Sequence, residues 1–103
     1  VTRANPHRGE ASLQVAGEAV VLRPTFSALV AAEEELGSLF GVVERASEGK
    51  LALREIVALF DHISADRPNA ITRERIGQAV VEKGLAGITP TLRLVLEQIL
   101  KGR

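Results

Sequence analysis

Two histidines, a run of three glutamates and a pair of arginines are the residues here whose chemistry could go beyond packing. His7 and His62 would need converging carboxylates to hold a metal, and neither H-x-x-x-H nor H-E-x-x-H spacing occurs. His62 falls beside the apolar stripe of a predicted helix, not on it, and so reads as a solvated side chain. Asp61 adjoins it, but consecutive helical residues point to different faces and do not orient each other. Glu33, Glu34 and Glu35 fan over about 200° of a helix, too wide to meet one cation, and read as a solvated face. Glu33 lies nearest the apolar stripe and is the member placed to pair with Arg23 or with another cation at the buried edge. Arg73 and Arg75 flank Glu74 at a predicted helix start and read as solvated too. The glycines form neither a P-loop nor a dinucleotide fingerprint, and no G-x-S-x-G elbow occurs. The chain has no cysteine, which excludes disulfides, zinc-thiolate sites and thiol catalysis. The expectation is no catalytic, cofactor-binding or metal-binding residue, and no enzyme.

The elements that carry these residues are predicted as follows. Residues 1–9 lack periodicity and read as a flexible N-terminal arm; 10–103 read as a single globular domain. Over 10–23, Ala11, Leu13 and Val15, then Val20 and Leu22 after Gly17, share an apolar parity, which predicts a β-hairpin. Its turn is either Ala16-Gly17 or Gly17-Glu18, the second suiting a II′ turn with Gly leading. The two registers differ by an even step, so Leu13, Val15, Val20 and Leu22 share a face in both. Helices are predicted over 25–101. Thr25 caps the first, with Phe26, Leu29, Val30 and Leu36 inward and Gly37 as its stop. Ser38 caps the second, carrying Leu39, Phe40, Val43 and Ala46. The third, from about Leu51, carries Leu53, Ile56, Val57, Phe60 and Ile63. Thr72 caps the fourth, carrying Ile76, Ala79 and Val80. Thr89-Pro90 starts the fifth, with Leu92, Val95, Leu96, Ile99 and Leu100. The fold class expected is α+β, mainly α: an N-terminal hairpin packed on a compact bundle of four to five short helices.

Composition bounds the rest. At 103 residues the chain makes one domain. Thirteen basic residues balance thirteen acidic ones, which disfavours generic nucleic-acid or anionic-membrane binding. No apolar run approaches a membrane span. The first ten residues carry Arg3, Arg8 and Glu10 and lack an apolar stretch, so no secretory leader is expected and the location expected is cytoplasmic. Phenylalanine is the only aromatic, at three residues, so the core must be aliphatic.

One pattern goes further. Asn5-Pro6-His7-Arg8-Gly9-Glu10 leads into the hairpin, then Leu22-Arg23-Pro24-Thr25-Phe26, then Leu29, Glu33 and Leu36-Gly37. This resembles the small gene-transfer-agent proteins of alphaproteobacteria, encoded among phage-like tail genes. That family is labelled a tail tube protein and grouped with phage tail assembly chaperones. Its members carry a polar residue before the turn glycine, where Ala16 stands here. Each residue of the pattern also has a structural reading: Gly9 and Pro24 punctuate, Thr25 caps and Phe26 packs. The resemblance implies a non-enzymatic tail assembly factor that binds the tape-measure protein or tail-tube subunits. The alternative it implies is a structural tail component retained in the particle. Such a role needs an exposed apolar surface. The candidates are the free side of the hairpin at Val21 and Ala19, and Val42, Leu59, Val81 and Leu94, which lie off the main stripes of their helices.

Overall fold

The computed structural model describes residues 11–64 and 66–102, so the expected arm at 1–9 and Arg8, Gly9 and Glu10 lie outside the described residues. The order is β1 (Ala11–Val15), β2 (Glu18–Leu22), α1 (Phe26–Leu36), α2 (Leu39–Ser47), α3 (Leu53–Ile63), α4 (Arg73–Lys83) and α5 (Leu85–Lys101). The fold is α+β and mainly α, a hairpin followed by five helices, as expected. β1 pairs antiparallel with β2 in the register Val15↔Glu18, which makes Ala16-Gly17 the loop. Both loop residues have positive φ, 51° at Ala16 and 83° at Gly17, so the turn is of the I′ kind and not a II′ turn led by glycine. That geometry matches the right-handed twist of the strands, and Ala16 bears a Cβ penalty to adopt it. Leu13, Val15, Val20 and Leu22 are buried together. α4 and α5 pack against β1, and α3 lies between α1 and α4.

Thr25 caps α1, its Oγ1 accepting from Ala28 N–H at 3.3 Å. The face that α1 buries is Ala28 and Ala32, flanked by Leu29 and Leu36. Phe26, expected to pack, is 85% exposed, and Val30 is exposed as well. Both i, i+4 pairs have helical spacing; the smaller one faces inward because alanines let α1 approach α3 closely. α2 shows the same reversal. Val42 is buried, while Phe40, expected on the inner stripe, is 78% exposed.

α3 is the central helix. It buries Ile56, Ala58, Leu59, Phe60 and Ile63, a wider arc than one stripe, because it is packed on two sides. Leu53 at its start is exposed instead. Ala52 has no acceptor to cap α3, but its N–H donates to Glu55 Oε1 at 3.0 Å, the return half of a capping box. α4 is capped by Thr72 and turns Ile76, Ala79 and Val80 inward, as expected.

α5 begins at Leu85, four residues before the predicted Thr89-Pro90 start. Gly84, at φ 83°, ends α4 and begins α5 at once. Ile88 is buried and anchors the added turn, its N–H donating to Gly84 O at 3.0 Å. Pro90 therefore sits inside the helix, where its ring leaves the Ala86 carbonyl without a helical donor. Ala86 is exposed, so water can take that carbonyl, and Thr89 Oγ1 donates to Leu85 O at 2.8 Å one position back. Farther on, Val95 is buried with Leu92, Leu94, Leu96 and Ile99 packed around it, whereas Leu100 stands half out.

Candidate partner-binding surface

The groups with reactive potential converge, but on each other. Glu35 lies in the last turn of α1, Asp61 and His62 in the last turn of α3, and Arg73 at the start of α4. Arg73 grips Glu35 with both terminal nitrogens, at 2.7 and 2.8 Å, and donates from Nε to Asp61 Oδ2 at 3.0 Å. His62 Nε2 lies 2.8 Å from Glu35 Oε1. Arg67 reaches the other Asp61 oxygen, the carbonyls of Asp61 and Ile71, and Ser64 Oγ. Ser64 Oγ donates to Asp61 O at 3.1 Å, which accounts for the buried hydroxyl. The Arg73 fork, and then His62, hold the Glu35 carboxyl down from 4.5 to about 2. The same pairing raises the Arg73 guanidinium above its ordinary value. Glu55 is lowered too, first by the Ala52 N–H and then by Arg45.

This cluster ties three helices together. An open groove of about 650 Å³ lies over it, and its charged lining, Asp61, His62, Arg67 and Arg73, is already paired. Every buried side-chain nitrogen or oxygen among the described residues has a hydrogen-bond partner. Among those residues no group of three or more His, Asp or Glu is placed to hold a metal.

Glu33 does not pair with Arg23; its Oε2 accepts from Leu39 N–H at 3.1 Å and helps cap α2. Arg23 instead pairs with Asp66 at 2.7 Å. His62 and Arg73 are both partners of Glu35, and Arg73 stays exposed while it pairs. Asp61 and His62 make no bond to each other, as their spacing required; Arg73 and Glu35 join them from other helices. Pairs separated by 27 and 38 residues leave no local signal in the sequence.

The apolar candidates divide. Val42 and Leu59 are buried, at 1% and 0% exposure, and offer nothing to a partner. Val42 is on the buried face of α2, opposite Phe40, and Leu59 falls within the wide arc that α3 buries. Leu94 is half-buried against the core, and Val21 is half-buried on the far side of the hairpin beside exposed Ala19. Val81 is exposed, at 63%. The structure adds Phe26, Val30, Phe40, Leu53 and Leu85 to the outward apolar residues. Helical spacing places Phe26 and Phe40 each on an apolar face of its helix but carries no signal of which face turns outward.

The fold is mainly helical α+β, the charged groups of the Glu35 cluster are paired with one another, and two of the three phenylalanines stand in solvent, an apolar surface of the kind that marks contacts with other proteins. Residues 8–102 match the model of the family described as phage tail tube protein, GTA-gp10, and the chain belongs to that family. It is the family that the Arg-Gly-Glu and Leu-Arg-Pro-Thr-Phe pattern resembles. Membership carries a phage-tail structural or assembly role and contacts with other tail proteins. No curated protein and no solved structure matches the chain. Among the described residues, no helix is long and apolar enough to cross a membrane.

Proposed function

We propose that the chain is a non-enzymatic tail assembly chaperone, acting in the host cytoplasm on the tape-measure protein or on tail-tube subunits before they polymerise. The observation that carries this reading is the exposure of Phe26 and Phe40, at 85% and 78%. A ring of such side chains bound permanently in a tube would be equally apolar, so a second observation is needed to favour one role. The described residues contain a single two-stranded sheet, β1 with β2. A tube subunit closes rings through extended β-structure, and a lone hairpin offers little edge for that. A transient partner needs only an apolar helical surface that a target segment can cover.

Quantitative mass spectrometry of purified particles tests the reading. A chaperone is absent, or present far below the tube subunit, and copurifies with the tape-measure protein from producing cells. Equal stoichiometry with the tube subunit would establish the retained structural role instead.

A further inference from the structure

α3 and α4 enclose a shallow apolar groove with a volume of about 580 Å³, distinct from the polar groove above the Glu35 cluster. Its walls are Leu53 and Val57 on α3 and Val81 on α4, with Gly77 at its floor. Leu53 is 42% exposed and Val81 63%. Arg73, Gly77 and Val81 follow one another at i, i+4 and i+8, so the groove runs about 12 Å, two helical turns. Glu74, Gln78 and Glu82 form the adjoining row on its outer rim.

Gly77 is the informative residue. A glycine in a helix interior is destabilising relative to alanine. Neither of the usual reasons for one applies, because Gly77 is not among the glycines with positive φ and a Cβ there would meet only Val57 methyls at 3.7 and 3.8 Å, an ordinary contact. Nothing among the described residues requires the missing side chain. A bare helix surface lets a second helix approach closely.

Charge selects the occupant. Glu74 and Glu82 have no ion-pair partner among the described residues, while Arg73, the one cation on the groove, is held by Glu35 and Asp61. The groove's own rim is therefore net acidic, with Arg75 and Lys83 lying on the other side of Gln78 and Glu82. Two copies meeting groove to groove would set these glutamates against their equivalents, a like-charge contact that a self-complementary interface avoids. We infer that this groove binds an amphipathic helix of another protein, with an aliphatic stripe over Gly77 and lysine or arginine flanking it. The inference does not depend on which tail protein supplies the helix.

The test uses the full chain, isotope-labelled for amide NMR. One synthetic probe is a helical peptide of about 18 residues with leucines at i, i+4 and i+7 spacing flanked by lysines; the other is its glutamate-flanked twin. The lysine peptide should shift the amides around Leu53, Val57, Gly77 and Val81 and bind at least about tenfold tighter than the twin. Glu74→Lys with Glu82→Lys should reverse that preference. Gly77→Ala should raise the melting temperature and yet weaken the lysine peptide about fivefold or more, an opposition that a merely structural glycine cannot produce. Shifts confined to other surfaces, equal binding of both peptides, no binding at millimolar peptide, or unchanged affinity in Gly77→Ala would each overturn the inference. So would dimerisation that masks the same amides. None of these outcomes alters the particle stoichiometry that tests the chaperone reading, so the two can fail separately.

Discussion

Glu35→Gln is the sharpest test of the cluster that joins α1, α3 and α4. Arg73 and His62 both bind the Glu35 carboxylate, and its pKa falls from 4.5 to about 2. Taken whole, that difference corresponds to roughly 3 kcal/mol favouring the ionised, folded form. The Glu35 side chain is 41% exposed and Arg73 43%, so solvent screens much of it. About 1 kcal/mol is what such an exposed pair retains. Glutamine keeps the shape and an acceptor oxygen but removes the charge. At neutral pH the variant should therefore be about 1 kcal/mol less stable than wild type. The gap must also close with acid. Below 4.5 the unfolded chain takes up a proton that folded Glu35 refuses, so this contribution is complete above 4.5 and is lost as pH falls toward 2. Urea unfolding followed by far-UV circular dichroism, from neutral pH down to about 3, reads the difference. Intrinsic fluorescence offers little, since the chain has neither Trp nor Tyr. A gap that stays constant as pH falls, or no gap at neutral pH, would show that the Glu35 charge does not hold the helices together.

Leu59→Ala should cost about 2–5 kcal/mol, because Leu59 is fully buried in the central helix, whereas half-buried Leu94→Ala should cost visibly less in the same urea series. Ala16→Asn should stabilise by about 0.5–1 kcal/mol, since asparagine tolerates the positive φ of a I′ turn better than alanine does; thermal melting checks it, and a lower midpoint would contradict the turn. Phe26→Ser and Phe40→Ser should leave stability within about 0.5 kcal/mol while reducing copurification with tail partners. If either unfolds the domain, its ring is packed and not presented.

Much of the fold was readable without coordinates because its signals are local. Parity over Leu13, Val15, Val20 and Leu22 predicted the buried face of the hairpin, and it survived uncertainty about the turn because the two registers differ by an even step. Thr25, Ser38 and Thr72 marked helix starts, since a side-chain oxygen three residues ahead of an unpaired N–H is a property of the chain itself. Thr89-Pro90 misled for the same reason. It is a good local start signal, but burial of Ile88 made an earlier turn of α5 favourable enough to enclose the proline.

The binding surface was less legible. Val42 and Leu59, off the main stripes of their helices, are buried, while Phe26 and Phe40, on the main stripes of theirs, stand in solvent. Helical spacing identifies which residues share a face, but not which face meets another helix. When two faces are both apolar, as on α1, close approach can favour Ala28 and Ala32 over the larger pair.

By itself the sequence determined the order of elements, most of their boundaries, the inner face of the hairpin and the family to which the chain belongs. Only the tertiary structure decided which apolar residues are left outside, that Glu35, Asp61, His62 and Arg73 meet, and that α3 and α4 frame an acidic-rimmed groove over Gly77. Turns, caps and periodicity depend on neighbours along the chain, whereas burial and ion pairing depend on segments tens of residues apart that meet only when the chain has folded.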